Sequence, residues 1–445
     1  MKPRPHYQNA IFNLAGGASS AGMALVLPFL LNRFLSQADY AIWVLGFQAA
    51  LYVPMFGLGV HQLLNRAIAS SLARQELESL HQQVAAGFWM ILLLSLLALS
   101  FVWMSSFFVE QIARTSTVQE GQIRAVWLLV GTSAALGLGS LFFFGCFGGQ
   151  QRYEWENTYK VIIASSFLGL IVGSWYLGFA LDPFRLSFCY GLTIAAGLVF
   201  LSWRFRSQSQ LRLTPIARWH FPSLRSYVRG MYGLGVWQVG MLMVSGFDLW
   251  IVAKCDFGAV PGYSIALSFL VFVSGSMNAI AGPLLPRFAT QLTKTEAGSQ
   301  HALFQTQFRT YQKKLLSVLA FLLIVLLLVP QFIWQWALKE SASTFVMVFP
   351  ILLLATCIRL STLLYGLTLV SANLQHQVIL SPLLEGVINV IASLVLASYL
   401  GPIGVAWGTL LGALVCVLMH ALYNVPRTAC LIPLTPKTLL CPWIS

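Results

Sequence analysis

Lysine and arginine alternate along this chain in a way that a soluble protein has no reason to adopt. Twelve long apolar stretches run at about 11–34, 40–63, 84–108, 125–147, 159–181, 186–203, 230–253, 260–284, 315–337, 344–367, 377–399 and 402–424. Of the 26 Lys and Arg residues, nineteen fall in every second gap between these stretches, six fall in the other gaps, and Arg359 lies inside a stretch. Most stretches are long enough to cross ~30 Å of hydrocarbon as a helix at about 1.5 Å per residue. Lys and Arg are retained on the cytoplasmic side of a membrane. The pattern predicts an all-α polytopic membrane protein of about 12 transmembrane helices with both termini cytoplasmic.

Composition agrees. The chain is 58% hydrophobic and 9% charged, with a mean hydropathy of +0.77, more apolar surface than a soluble fold can cover. Backbone polar groups in lipid must be satisfied within the segment, which leaves helices or a closed barrel. Barrel strands would alternate polar and apolar residues, and these stretches do not. The net charge of +13 follows from retention of cations on one side, and no basic soluble domain exists to carry a nucleic-acid interface. Lys2 and Arg4 precede a stretch without a small-residue cleavage site, so no removable leader is expected.

Catalytic signals are missing. The seven cysteines (146, 189, 255, 357, 416, 430 and 441) show no CxxC spacing and read as small packing residues, so neither a metal site nor a cofactor is expected. His61 and His420 lie in or at the end of stretches without a nucleophile in a recognisable context. No GxxxxGK[ST] loop is present, so ATP hydrolysis by that route is excluded. The gaps are short, the longest on the outer side being about 109–124. A membrane enzyme with a soluble donor would need more chain outside the bilayer, whereas a transporter needs only helices around a cavity.

The basic connector 204–229 divides the chain into a lobe of six spans at 1–203, a second lobe at 230–424 and a cytoplasmic tail at 425–445. The lobes echo each other. Tyr40 opens the second span in ADYAIWVLGFQAALY and Tyr263 opens the eighth in PGYSIALSFLVF, 223 residues later. LLNRAIASSLA and LLPRFATQLT end those spans, so Arg66 and Arg287 correspond at an offset of 221. Because six is even, the lobes form parallel repeats.

Ionisable residues inside spans are costly and mark a cavity or a partner. Asp248 lies near the outer end of span seven, where it is a candidate for ion handling or a residue reaching the interface near Lys254. Arg359 and Glu385 lie in the inner halves of spans ten and eleven, each roughly 12–14 Å deep, and can pair. Their pairing is open to two readings, a structural salt bridge or a role in ligand or ion handling. Arg33, Arg66, Lys160 and Arg287 stand at span ends. They can snorkel to the interface or line a passage for an anionic head group, for which the Arg fork suits phosphate. The runs AGGASSAGMA (15–24) and GTSAALGLGS (131–140) allow close helix packing or line a hollow.

The segment LPFLLNRFLSQADYAIWVLGFQAALYVPMFGLGVHQLLNRAIA (27–69), with Arg33, Tyr40, Gly57 and Arg66, resembles the opening of the bacterial polysaccharide-export flippases. These include the O-antigen (Wzx-type) flippases of the multidrug/oligosaccharidyl-lipid/polysaccharide exporter superfamily. DLWIVAKCDFGAVPGYSIA (248–266), with Asp248, Gly262 and Tyr263, is similar to the family's seventh and eighth spans. The six-plus-six layout agrees over nearly the whole chain. Ser36 and Ala41 stand where the family often has Gly, and Met55–Phe56 replaces a frequent acidic residue.

The resemblance implies translocation of an undecaprenyl-pyrophosphate-linked oligosaccharide across the bacterial inner membrane, by alternating access of two lobes around a hydrophilic cavity. It implies membrane lipids, a polysaccharide polymerase and chain-length proteins as partners. A membrane potential that is negative inside favours outward movement of each negative charge by about 2.3 kcal/mol per 100 mV. A coupled H⁺ or Na⁺ at Asp248 or Glu385 is the rival source of drive. The competing functions are a multidrug exporter of the same superfamily and a membrane-embedded polymerase or acyltransferase. Span one has no carboxylate to meet a cationic drug, and the chain has no catalytic cluster.

Overall fold

A computed structural model describes residues 6–112, 117–208, 246–281, 298–372, 377–429 and 431–443, with isolated positions between them. Arg287 and most of the connector 204–229 lie outside the described residues. Every regular element among the described residues is helical. Eleven helical stretches among them are long and apolar enough to cross a membrane. The place of the first span is held by α1 (His6–Phe34), whose described apolar part is Gly22–Phe34.

The chain forms two compact units, Met1–Gln238 and Val239–Ser445. In the first, α1 is followed by α2 (Gln37–Tyr52), α3 (Val60–Arg74), α4 (Leu77–Ile112), α5 (Thr117–Gly137), α6 (Ser140–Gly149), α7 (Glu154–Tyr176) and α8 (Pro183–Gln208). In the second, α9 (Asp248–Cys255) and α10 (Val260–Ala281) lead to α11 (Gly298–Leu327), α12 (Gln331–Leu338), α13 (Ala342–Leu360) and α14 (Leu363–Ser371). The longer α15 (Leu380–Leu400) and α16 (Pro402–Met419) follow, then the short α17 (Val425–Thr428) and α18 (Pro436–Leu440).

Each unit repeats one internal plan. In the first, α1 packs on α7, α2 and α4 pack on α5, and α8 packs on α5 and α7. In the second, α9 packs on α15, α10 and α11 pack on α13, and α16 packs on α13 and α15. The fourth span of each unit is broken at the matching place, at Leu138–Gly139 and at Ser361–Thr362. These breaks stand 223 residues apart, the offset that also separates Tyr40 from Tyr263. Both tyrosines are fully buried, at 1% and 0% exposure.

Local chemistry sets the helix ends. Ser36 caps α2: its Oγ accepts from the Asp39 backbone N–H at 3.1 Å and donates to Asp39 Oδ2 at 2.7 Å. The second span is interrupted where Pro54 opens a 3₁₀ turn, Val53–Gly57. Leu58 and Gly59 follow with φ of 43° and 70°, a left-handed pair that redirects the chain into α3. The predicted ninth span, 315–337, is two helices, because Pro330 lacks the N–H needed to extend α11 and instead opens α12. By contrast α1 runs through Pro28 without interruption.

Small residues settle which helices touch. A Cβ added at Gly131 would strike Val102, and one at Gly145 or Gly149 would strike Leu64 or Ile68 of α3. Gly131 of the 131–140 run therefore serves close packing. Gly17 and Gly22 of α1 face open space. The outward faces are apolar, with Leu93, Leu96, Trp103 and Phe107 of α4 and Val199 of α8 exposed, as a lipid-facing surface requires.

Candidate functional site

The polar interior of the second unit is organised by one face of α15. Ser381, Glu385, Asn389 and Ser393 recur every fourth residue, and none is more than 2% exposed. At about 1.5 Å per residue they form a stripe roughly 18 Å long. Such a stripe is tolerated in an apolar helix only if a partner covers it. α16 does so. Its Gly404, Gly408 and Gly412 bring its backbone against α15, and a Cβ at Gly408 would collide with Ser393.

Asp248 begins α9 beside the Asn389 level of this stripe. It is 1% exposed, enclosed by the helices of its own unit. Thr409 Oγ1 donates to Asp248 Oδ2 at 3.0 Å, and Asn389 Nδ2 donates to Asp248 Oδ1 at 3.3 Å. Asn389 Nδ2 also reaches the Val244 carbonyl at 2.6 Å, while its Oδ1 accepts from Ser393 Oγ at 3.2 Å. Ser393 and Thr409 both approach the Val405 carbonyl, at 3.2 and 3.1 Å. The fully buried Tyr263 hydroxyl lies beside Asp248 and Thr409.

One turn along α15 from Asn389, Arg359 Nε donates to Glu385 Oε1 at 2.5 Å. The Glu385 side chain is 3% exposed and that of Arg359 is 26% exposed. Arg359 Nη2 is buried with no acceptor. At the Ser381 end of the stripe, Asn424 Nδ2 meets Ser381 Oγ and lies 2.8 Å from His420 Nδ1. His420–Asn424 forms a π-helical turn, a local insertion that often accompanies function. Tyr365 packs edge-on against His420 with ring centroids 5.3 Å apart, and its hydroxyl lies 3.0 Å from Thr428 Oγ1.

The structure thus brings Asp248, Arg359 and Glu385 into one polar column. Arg33 on α1 and Arg66 on α3 are exposed on the first unit. Lys160 is held by Glu156, Nζ to Oε1 at 2.7 Å, one turn earlier on α7. Asn278 is exposed and donates to the Ser274 carbonyl of its own helix. Sequence reasoning missed Ser381, Ser393 and Thr409. The fourfold spacing on α15 was a usable signal for the two serines, since i and i+4 residues share a helix face; Thr409 carried none.

Chemically, the Asp248 end offers carboxylate, amide, hydroxyl and main-chain carbonyl oxygens, a hard donor set suited to a proton or a small alkali cation. The Arg359 end offers a guanidinium with one N–H group uncommitted, suited to an anion.

No protein-family signature matches the sequence, and no curated protein is significantly similar to it. Solved structures do match. A multidrug resistance MATE family transporter of the MOP superfamily in an inward-facing conformation superposes with a TM-score of 0.72 at 14% identity, covering 95% of this chain and 95% of that one. The lipid II flippase MurJ in an inward closed conformation gives 0.65 at 15% identity over 97% of this chain and 89% of that one. A MOP-superfamily transporter from Pyrococcus furiosus, described as having a binding pocket of reversed polarity, gives 0.55 at 14% identity over 95% and 92%. At these identities the likeness is one of architecture: the chain has the all-helical, two-unit membrane fold shared by MATE transporters and the lipid II flippase of the MOP superfamily.

Proposed function

We propose that this chain is a transporter that moves an undecaprenyl-pyrophosphate-linked oligosaccharide across the bacterial inner membrane by alternating access. The observation that carries this reading is how charge is committed within the spans. Among the described residues, the buried carboxylates of the second unit's spans are Asp248 and Glu385, and both are engaged by internal partners. A cationic drug finds no uncommitted carboxylate there, whereas Arg359 keeps an N–H group without an acceptor and Arg33 and Arg66 lie open. Arginines of this kind suit the pyrophosphate of a lipid-linked sugar, whose charge cannot cross bare hydrocarbon at a useful rate. Asp248, with Asn389 and Thr409, is the site of the coupling ion, a proton or sodium.

The test is deletion of the gene followed by leaflet analysis of lipid-linked oligosaccharide. Completed units should accumulate facing the cytoplasm, and Asp248→Asn or Arg66→Ala should restore membrane insertion but not export. Normal surface glycan in the deletion strain would reject the flippase reading. A second reading, a gradient-driven multidrug exporter, is favoured by the superposition on the MATE transporter. It predicts sensitivity to cationic drugs on deletion with no change in lipid-linked sugar.

A further inference from the structure

At the other end of the molecule's chemistry lies a cluster that the transport reading does not use. Trp155 stands in the first turn of α7, and Trp203 and Arg204 stand near the end of α8. The Arg204 guanidinium lies 4.3 Å over the Trp155 ring, 4.4 Å over Trp203 and 5.7 Å over Phe200. Arg152 lies 5.6 Å over the opposite partner, Trp155. Stacking on indole fixes the plane of the guanidinium without consuming its N–H groups.

Those N–H groups are left over. Arg204 Nε and Trp155 Nε1 are both buried and both lack an acceptor. Each is a donor that cannot accept, and two adjacent orphan donors are rare in a folded interior. Of the neighbouring carboxylates, Glu154 Oε1 accepts from Arg152 Nε at 3.0 Å, and Glu156 Oε1 accepts from Lys160 Nζ at 2.7 Å. Arg204 and the exposed Arg206 remain as excess positive charge.

Position supplies the ligand's identity. The face of α8 leading to this cluster is exposed and apolar through Phe188, Leu192, Val199 and Trp203, and Arg204 follows at once. An apolar face that ends in tryptophan and arginine marks the level of lipid head groups. The distribution of Lys and Arg assigns this end to the cytoplasmic leaflet, whose anionic lipids attract such clusters. We infer that the Trp155–Trp203–Arg204 cluster seats the phosphate of an anionic phospholipid of the inner leaflet, separately from the transported substrate.

The experiment uses the full-length protein in nanodiscs of phosphatidylcholine alone or with phosphatidylglycerol. Phosphatidylglycerol should raise the unfolding temperature of the wild type and remain bound in native mass spectrometry. Arg204→Gln should weaken that retention by about fivefold, as expected for loss of one arginine at a charged surface, and Arg204→Lys should weaken it less. Trp155→Phe, which removes the indole N–H and shrinks the ring under Arg204 but keeps an aromatic face, gives a second reading if Arg204→Gln is poorly folded in phosphatidylcholine. Equal phosphatidylglycerol retention in wild type, Arg204→Gln and Trp155→Phe overturns the assignment. So does inorganic phosphate in phosphatidylcholine discs that reproduces the full thermal gain, because the source would then not be a lipid.

Discussion

Removing Arg359 is the sharpest single perturbation of the polar column. Arg359→Met leaves Glu385, whose side chain is 3% exposed, as a carboxylate without its cation. Losing one member of a buried pair costs about 3–5 kcal/mol, because the remaining charge is neither solvated nor paired. The reverse change is gentler. In Glu385→Gln the orphan is Arg359, whose side chain is 26% exposed and can draw in water, so the loss is closer to about 1–3 kcal/mol. Replacing both, Arg359→Met with Glu385→Leu, should recover most of the stability, since apolar pairs often substitute for buried ion pairs at no net cost. For a unit the size of Val239–Ser445, roughly 2–4 °C accompanies each kcal/mol. The order of unfolding midpoints in detergent should therefore be wild type and double variant together, then Glu385→Gln, then Arg359→Met about 10 °C lower. With Glu385→Leu also measured alone, the double-mutant cycle isolates the pair energy. An Arg359→Met protein as stable as wild type would refute the claim that this pair is structurally coupled. A double variant that is stable but does not export would assign the pair to ligand or ion handling as well.

Gly408→Ala drives a methyl group into Ser393 and should cost about 1–3 kcal/mol, seen as a lower unfolding midpoint; Gly366→Ala, in open space, is the control and should not move it. Gln312, fully buried, donates through Nε2 to the Ser361 carbonyl at 2.7 Å and the Leu439 carbonyl at 2.8 Å. Gln312→Ala should release α18 and speed tryptic cleavage after Lys437, with unchanged cleavage counting against that tie. In proteoliposomes, imposed potentials of opposite sign should give unequal flipping rates if the head group's charge contributes to the drive, by about 2.3 kcal/mol per charge per 100 mV; equal rates would assign the drive wholly to a coupled ion.

The architecture was legible because hydropathy and the side on which cations are retained are properties of whole segments, insensitive to local detail. The repeat was legible from Tyr40 and Tyr263, since aromatic residues at matched positions stand out in apolar sequence. What hydropathy could not register was backbone direction. Residues 315–337 are predominantly apolar, yet Pro330 separates two helices, and the left-handed pair Leu58–Gly59 redirects span two without changing its polarity. Asp248, Arg359 and Glu385 were visible because charge in a span is rare. Their burial was not: Asp248 lies near the end of its apolar stretch, and only Asn389 and Thr409, from spans eleven and twelve, show that the position is enclosed by other helices. Single hydroxyl residues carry little signal, because Ser and Thr hydrogen-bond to their own helix in many spans, as Ser165 and Thr368 do here.

The serine–glutamate–asparagine–serine face of α15 also has a consequence for how the protein is made. A helix bearing that face enters the bilayer poorly by itself, because its side chains would meet acyl chains before any shield has been synthesised. The shield is the very next helix, joined through Gly401 alone. Residues 380–428 should therefore leave the translocation machinery as a pair, and a nascent chain halted after Leu400 should stall at the membrane or be degraded. Stable integration of that halted chain would show that the face needs no such chaperoning neighbour.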